Sequence, residues 1–528
     1  MSRGRSIRAF WALLAVVVLV LSACSTAASG KKGGTFVLGL VAEPTSLDPA
    51  TLTDINSMRI LSSIYDTLVQ FDENGFDLKP GLATKWTVTP DGLNYTFELR
   101  KGVKFHDGTA FNAAAVKFNF DRMLDPKNQY ANTGPFPFGG FYYGSIKETK
   151  VVDESTVQFI LSQPYSPLLN SLTLNQGRIV SPDAVKKSGK DYGQSPVGTG
   201  PFKFSEWQHG VRVVVTRNDD YWNGAPLLDK IVFRPIPDEQ TRYTELKSGN
   251  ADAIVDVPPD NVAQVKSDSK FKFIEQPGPH IWWVTLNMQK APFDKVAVRQ
   301  AMMYAINRDA ISKDILKGTG TVATGPIPPS IKWAYTDDVT KYAYDPTKAK
   351  QMLADAGYAS GLKLTFWIPE SGSGMQSPKS MATAIQGDLA KIGVTVDIKT
   401  FEWGAYLNKY GAGFGTDADM AAMSFMLDPG DPAPYLGLVA DSAASAPAGF
   451  NGGYYKSATV DKLLHDALAT TDQAQRGKLY QQVAQQMSKD VPWIFIDNQI
   501  QNAAFSTKVH DLKLHPSFYI FFPKIWMD

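Results

Sequence analysis

Leu364-Thr365-Phe366-Trp367-Ile368 and Val394-Thr395-Val396-Asp397-Ile398 flank a stretch in which Ile385, Leu389 and Ile392 recur at helical spacing. In each outer piece the apolar side chains alternate, the period of a strand, while the middle follows the 3.6-residue period of a helix. Strand–helix–strand order of this kind implies α/β lobes with largely parallel sheets. Moving outward, Ala349, Met352, Leu353 and Ala356 form a helical stripe that Gly357 closes as a left-handed cap. Val298, Ala301, Met302, Ala305 and Ile306 form another. The Gly/Ser/Pro-rich piece 370–378 reads as a loop.

The first half follows the same grammar without repeating the sequence. Thr35 to Leu40 reads as a strand, and Leu61, Ile64, Tyr65 and Leu68 follow helical spacing. Tyr95, Phe97 and Leu99 alternate within Asn94 to Leu99. Asp107-Gly108 is a turn, and Asn112 is placed to cap a helix starting at Ala113.

At 528 residues the chain exceeds one compact core, and its length suggests about three domain-sized units. Its 53 basic and 52 acidic residues nearly cancel, so no bulk charge draws it to nucleic acid. Aromatics make up 12%, with 11 Trp and 21 Tyr, enough for a large binding surface beyond those that fill cores.

The N-terminus carries Arg3, Arg5 and Arg8, then an apolar run from Ala9 to Leu21, then Ser22-Ala23-Cys24. That run is shorter than the ~20 residues of a spanning helix, so it reads as a removable signal over residues 1–23. The arrangement resembles the bacterial lipoprotein lipobox, which implies that Cys24 is diacylated and becomes the mature N-terminus. Residues 24–33 would then form a tether. Cys24 is the single cysteine, so no intrachain disulfide can form.

Catalytic and cofactor signatures are absent. Gly318-Thr319-Gly320-Thr321-Val322-Ala323 matches a dinucleotide pattern by letters only, because it follows a helix-like segment instead of a strand. The histidines His106, His209, His280, His465, His510 and His515 are scattered, without metal-ligand spacing. Ser373 lacks the glycine spacing of a nucleophile elbow. No metal site, no cofactor and no enzymatic activity are expected. His106 and Arg299 read as structural.

Several segments together resemble the family 5 extracytoplasmic solute-binding proteins, the dipeptide, oligopeptide and nickel-type receptors of ABC importers. They are Leu82-Ala83-Thr84-Lys85-Trp86, Asp91 through Arg100, Val103 through Gly108, Gly198-Thr199-Gly200-Pro201-Phe202, Tyr221-Trp222 and Ile236-Pro237-Asp238. Pro292-Phe293-Asp294, Val298 through Ala301, Ala305 through Arg308, Tyr344-Asp345-Pro346 and Ala356-Gly357-Tyr358 continue the series in the same order. The resemblance implies an α/β clamshell of two lobes, the type II, cluster C periplasmic-binding-protein-like fold, with an extra subdomain. The first lobe would combine 34–62, 195–277 and 502–528, the extra subdomain 63–194, and the second lobe 280–500. Crossings would fall near Pro277-Gly278-Pro279 and at 499–502, and at the first the fixed φ angles of Pro277 and Pro279 confine bending to few bonds.

For the site, peptide-binding relatives carry an acidic residue that takes the ligand's α-ammonium group. By the match of Gly430-Asp431-Pro432 this residue is Asp428, with Asp431 beside it; both also fit plain turn positions. Trp282, Trp283 and Asn287 fall in a strand that the family places at the cleft, and Trp403 is a further aromatic candidate; each also fits core packing. Two departures stand out. Ser424-Phe425 replaces the usual Gly-Trp, and Lys379-Ser380 stands nearest the arginine that grips a dipeptide carboxylate, without arginine's bidentate fork.

The expected function is a lipid-anchored, extracytoplasmic, monomeric receptor that captures peptides and delivers them to an ABC permease and its ATPase subunits. An oligosaccharide, a metal chelate or another amphipathic solute is the alternative ligand on this scaffold, and a secreted hydrolase is a remote one.

Overall fold

The computed structural model describes residues 32–52, 54–370, 375–427 and 430–528. The expected signal over residues 1–23, Cys24, Ser373 and Asp428 therefore lie outside the described residues. Among those described, no helix is long and apolar enough to cross a membrane.

Two long strands, Phe271–Leu286 and Trp493–Ser506, run antiparallel through the middle of an 11-stranded sheet. On one side the sheet continues through Met420–Met426, Leu362–Pro369 and Val394–Phe401. On the other it continues through Ala253–Val255, Thr35–Leu40, Lys230–Pro235, Arg212–Arg217 and Phe202–Gln208. Leu362–Pro369 and Val394–Phe401 pair in parallel, with the helix Pro378–Ala390 between them in sequence, as their alternation predicts.

The sheet is mixed, which corrects the expectation of largely parallel lobes. Parallel ladders join Thr35–Leu40 to its two neighbours and Leu362–Pro369 to its two. The remaining ladders of this sheet are antiparallel, because hairpins and the two central strands return the chain directly. A direct return needs no helical crossover.

Three large apolar cores surround this frame. One gathers Phe36, Leu38, Ile231, Phe233, Val255 and Phe505 with Val180, Val185 and Tyr192. A second gathers Trp283, Val298, Met302, Phe366, Ile385, Leu389 and Phe495. The third packs Tyr95, Phe97, Phe120, Phe159 and Leu161 over a separate four-stranded antiparallel sheet. The molecule is thus two lobes plus an extra subdomain. Asn112 caps the helix Ala113–Leu124, its side chain accepting from the Ala115 amide at 3.0 Å.

The helix Ile55–Ile64 ends earlier than the spacing through Leu68 suggests, since Tyr65 is already extended. Gly200 presses against this end, and a Cβ there would lie 2.4 Å from the Ile64 carbonyl carbon. No side chain fits at that separation, so the Gly-Thr-Gly-Pro-Phe motif works as a close backbone contact. His106 joins it, placed through Nε2 2.9 Å from the Gly200 carbonyl oxygen, and burial pushes its pKa down to about 4. Arg299 donates to the carbonyls of Phe293, Asp490 and Val491. Both are structural.

Candidate functional site: a cleft between the lobes

Four helices begin at one cleft. Asp54, Ile55 and Asn56 start the helix Ile55–Ile64, and Asp54 accepts from the amides of Asn56 and Ser57 at 2.9 and 2.8 Å. Pro237 and Glu239 stand at the head of Glu239–Ser248, capped by Asp238. From the other lobe come the starts of Pro378–Ala390 and of Trp403–Ala412, the latter capped by Glu402, which accepts from the Ala405 amide at 3.0 Å. Each helix start carries a partial positive charge and free amides. Three of them are answered by their own capping carboxylates. Pro378–Ala390 has no side-chain cap, and Lys379 stands in its first turn.

The cleft has a volume of about 570 Å³ and is closed at its floor by Gln499 and Phe518. Gln499 belongs to a central strand at the point where that strand passes between lobes. In the partner strand the register breaks between Pro277 and Ile281. A Cβ on Gly278 would come 2.9 Å from the Phe518 ring, so only glycine lets the crossing lie against this aromatic. Seven described non-glycine residues have positive φ, and three of them, Asp256 (53°), Ser377 (47°) and Phe518 (66°), line this cleft. Strained backbone collects at working sites.

Six carboxylates line the cleft, those of Glu43, Asp54, Glu239, Asp256, Glu370 and Glu402, against the two cations Arg242 and Lys379. Glu43 is held by Trp207 Nε1, His209 and the Gly210 amide, and these hydrogen bonds outweigh desolvation to lower its pKa. Asp256 Oδ2 pairs with buried Arg59 at 3.0 Å. Arg242 donates to the carbonyls of Ile236 and Asp256 at 2.9 and 3.0 Å; burial lowers its pKa, with Asp256 opposing. Lys379 is exposed and makes no ion pair among the described residues.

Of the residues singled out in the sequence, Trp403 lines the cleft, lying nearly parallel to Tyr406 at 6.1 Å. Asp428 lies outside the described residues, directly after Leu427, whose amide donates to the Pro279 carbonyl at the crossing. The other four sit away from the cleft lining. Trp283 stacks on Trp493 at 4.6 Å and donates its indole N–H to Thr285. Trp282 is buried beside it in the strand, 1% exposed. Asn287 donates to the carbonyls of Gly415 and Ala418, both at 3.0 Å. Asp431 pairs with buried Arg476 and accepts from Tyr480 and the Ala433 amide. Their side chains are committed to packing and internal hydrogen bonds.

Glu43, Asn56, Glu239, Asp256, Glu370 and Gln499 were not marked by sequence reasoning. They come from distant segments, and the one local hint is the polar run Asp497-Asn498-Gln499 inside an otherwise apolar strand. Among the described residues no group of three or more His, Cys, Asp or Glu could hold a metal ion.

Comparison with known proteins agrees with this architecture. The family model for bacterial extracellular solute-binding proteins, family 5, matches residues 77–447. Heme-binding protein A of Haemophilus influenzae is 34% identical, with 98% of each chain covered. The dipeptide-binding protein of Escherichia coli is 35% identical, covering 89% of this chain and 90% of that one. The periplasmic binding protein DppA from Helicobacter pylori, solved in complex with the peptide STSA, superposes with a TM-score of 0.85 at 34% identity, covering 95% of this chain and all of that one.

Proposed function

Since the chain belongs to the family 5 bacterial extracellular solute-binding proteins, we propose that it captures short peptides outside the cytoplasmic membrane for an ABC importer. The cleft carries this reading, because its two walls come from different lobes and its lining combines an uncapped helix start and a lysine with a surplus of carboxylates. The uncapped start of Pro378–Ala390, with Lys379 in its first turn, suits a ligand carboxylate. Asp428, following Leu427 at the crossing, suits an α-ammonium group through a charge-assisted hydrogen bond. Trp403, on the cleft lining, would cover apolar side chains of the ligand.

Residues 34–62, 195–277 and 502–528 would move as one jaw and 280–500 as the other, with 63–194 as the extra subdomain. Ligand shifts this equilibrium only through contacts that are better in the shut form. The loaded receptor would dock on a permease whose ATPases supply the energy. Acylation of Cys24 would hold the monomeric protein at the membrane, since two acyl chains anchor stably where one is marginal.

Heme is the ligand named for one relative, and it is an alternative with support from comparison. The described cleft lining offers one sulfur, Met375, and no imidazole, which favours a peptide.

Titration calorimetry with one tetrapeptide in three forms tests the reading: free, N-acetylated and C-amidated. Each block should weaken binding at least about tenfold, the usual worth of a hydrogen bond to a charged group. Equal affinity for all three forms would remove the terminus-anchored mode, and Asp428→Ala should mimic the acetyl block.

A further inference from the structure

The unpaired chemistry of the cleft is lopsided. Asn56 Oδ1, Asp256 Oδ1 and Gln499 Oε1 are buried acceptors without a hydrogen-bond partner among the described residues. All three residues line the cleft, and Asn56 and Gln499 are each only 5% exposed. A buried acceptor left unmade is unfavourable, so three along one cleft mark a place that a donor-rich group fills. Among the buried side-chain donors of the described lining, only Arg242 Nε lacks a partner, and its guanidinium is otherwise turned into backbone carbonyls.

The charges point the same way. Glu239 and Glu370 stand on opposite walls, and neither makes an ion pair among the described residues. The cations facing them are Lys379, placed for a carboxylate, and Arg242; Arg59 behind is already paired with Asp256. Closing an empty cleft would bring carboxylates of both lobes together in a medium of falling dielectric, which is unfavourable. A cation between them reverses the sign of that contribution.

We propose that the cleft selects peptides bearing a basic side chain, whose ammonium or guanidinium sits between Glu239 and Glu370 and donates to Asn56, Asp256 and Gln499. This rests on the peptide reading above and adds a side-chain preference to it. A guanidinium presents five donors and an ammonium three, matching a lining rich in unpaired acceptors.

The test is calorimetry at neutral pH with Ala-Lys-Ala, Ala-Gln-Ala and Ala-Glu-Ala, all with free termini. The lysine peptide should bind at least tenfold tighter than the glutamine peptide, and the glutamate peptide weakest. In the double variant Glu239→Gln, Glu370→Gln the lysine-to-glutamine ratio should fall below threefold. Affinities equal within twofold, or tightest binding by the glutamate peptide, overturn the preference while leaving peptide capture standing. A tenfold ratio that persists in the double variant overturns the assignment to these two carboxylates. Failure of all three peptides to bind removes the peptide reading and this inference together.

Discussion

Asp497 shows how one residue's surroundings set a property of the whole chain. It sits in the central strand Trp493–Ser506, 5% exposed, and burial raises its pKa from 3.8 to about 7. The unfolded chain releases this proton near the ordinary value, whereas the folded chain keeps it until about pH 7. Between those values the unfolded state binds fewer protons, so Asp497 takes stability away as pH rises through that window. Above it the penalty is constant. Asp497→Asn should therefore stabilise the protein increasingly from about pH 4 to about pH 7, by up to a few kcal/mol. Urea unfolding of both forms at about pH 5 and about pH 8 reads this directly. A difference that does not grow with pH would show that the carboxyl is better solvated than its burial implies. His106, His280 and His515 pull the other way, each pushed down to about 4 by burial, and the comparison with the variant cancels them.

At the scale of elements, capping and close approach decide where helices start and how they face the cleft. Asp54 binds two amides of the helix Ile55–Ile64 and also takes the hydroxyls of Thr45 and Ser57, both at 2.5 Å. Asp54→Ala should cost about 1 kcal/mol or somewhat more, seen as a lowered thermal midpoint, and Asp54→Asn should restore much of it. No loss in the alanine variant would mean that water serves those amides equally well. The local signals that named elements correctly were of this kind. Asn112 before Ala113, the alternation at Leu364–Ile368 and the stripe at Ile385 and Leu389 each need only neighbours within a few residues. The end of Ile55–Ile64 was not readable, because Gly200, far along the chain, fixes it.

For the whole molecule, the two lobes share one sheet through Phe271–Leu286 and Trp493–Ser506, so any closure must bend those strands where the register breaks at 277–281. Lys317 pairs with Asp260 on the other side of the crossing, and Ser330 Oγ donates to the Gly278 carbonyl at the crossing itself. Small-angle scattering with and without a bound tetrapeptide should show a smaller radius of gyration in the loaded protein. An unchanged profile under saturating ligand would argue for a fixed cleft instead of moving jaws.

Periodicity, caps and motif order alone determined the α/β class and the family, because those depend on short-range pattern and on residues that keep their sequence neighbours in any fold. The same patterns could not say which aromatic faces the cleft. Trp283 and Trp403 look alike as letters, yet one stacks on Trp493 in a core and the other lines the cleft. Nor could they show that Asn56, Asp256, Gln499 and Glu370 meet at one cavity. Only the tertiary structure settled these points, since burial and charge are sums over everything that surrounds a side chain, and most of what surrounds these comes from hundreds of residues away.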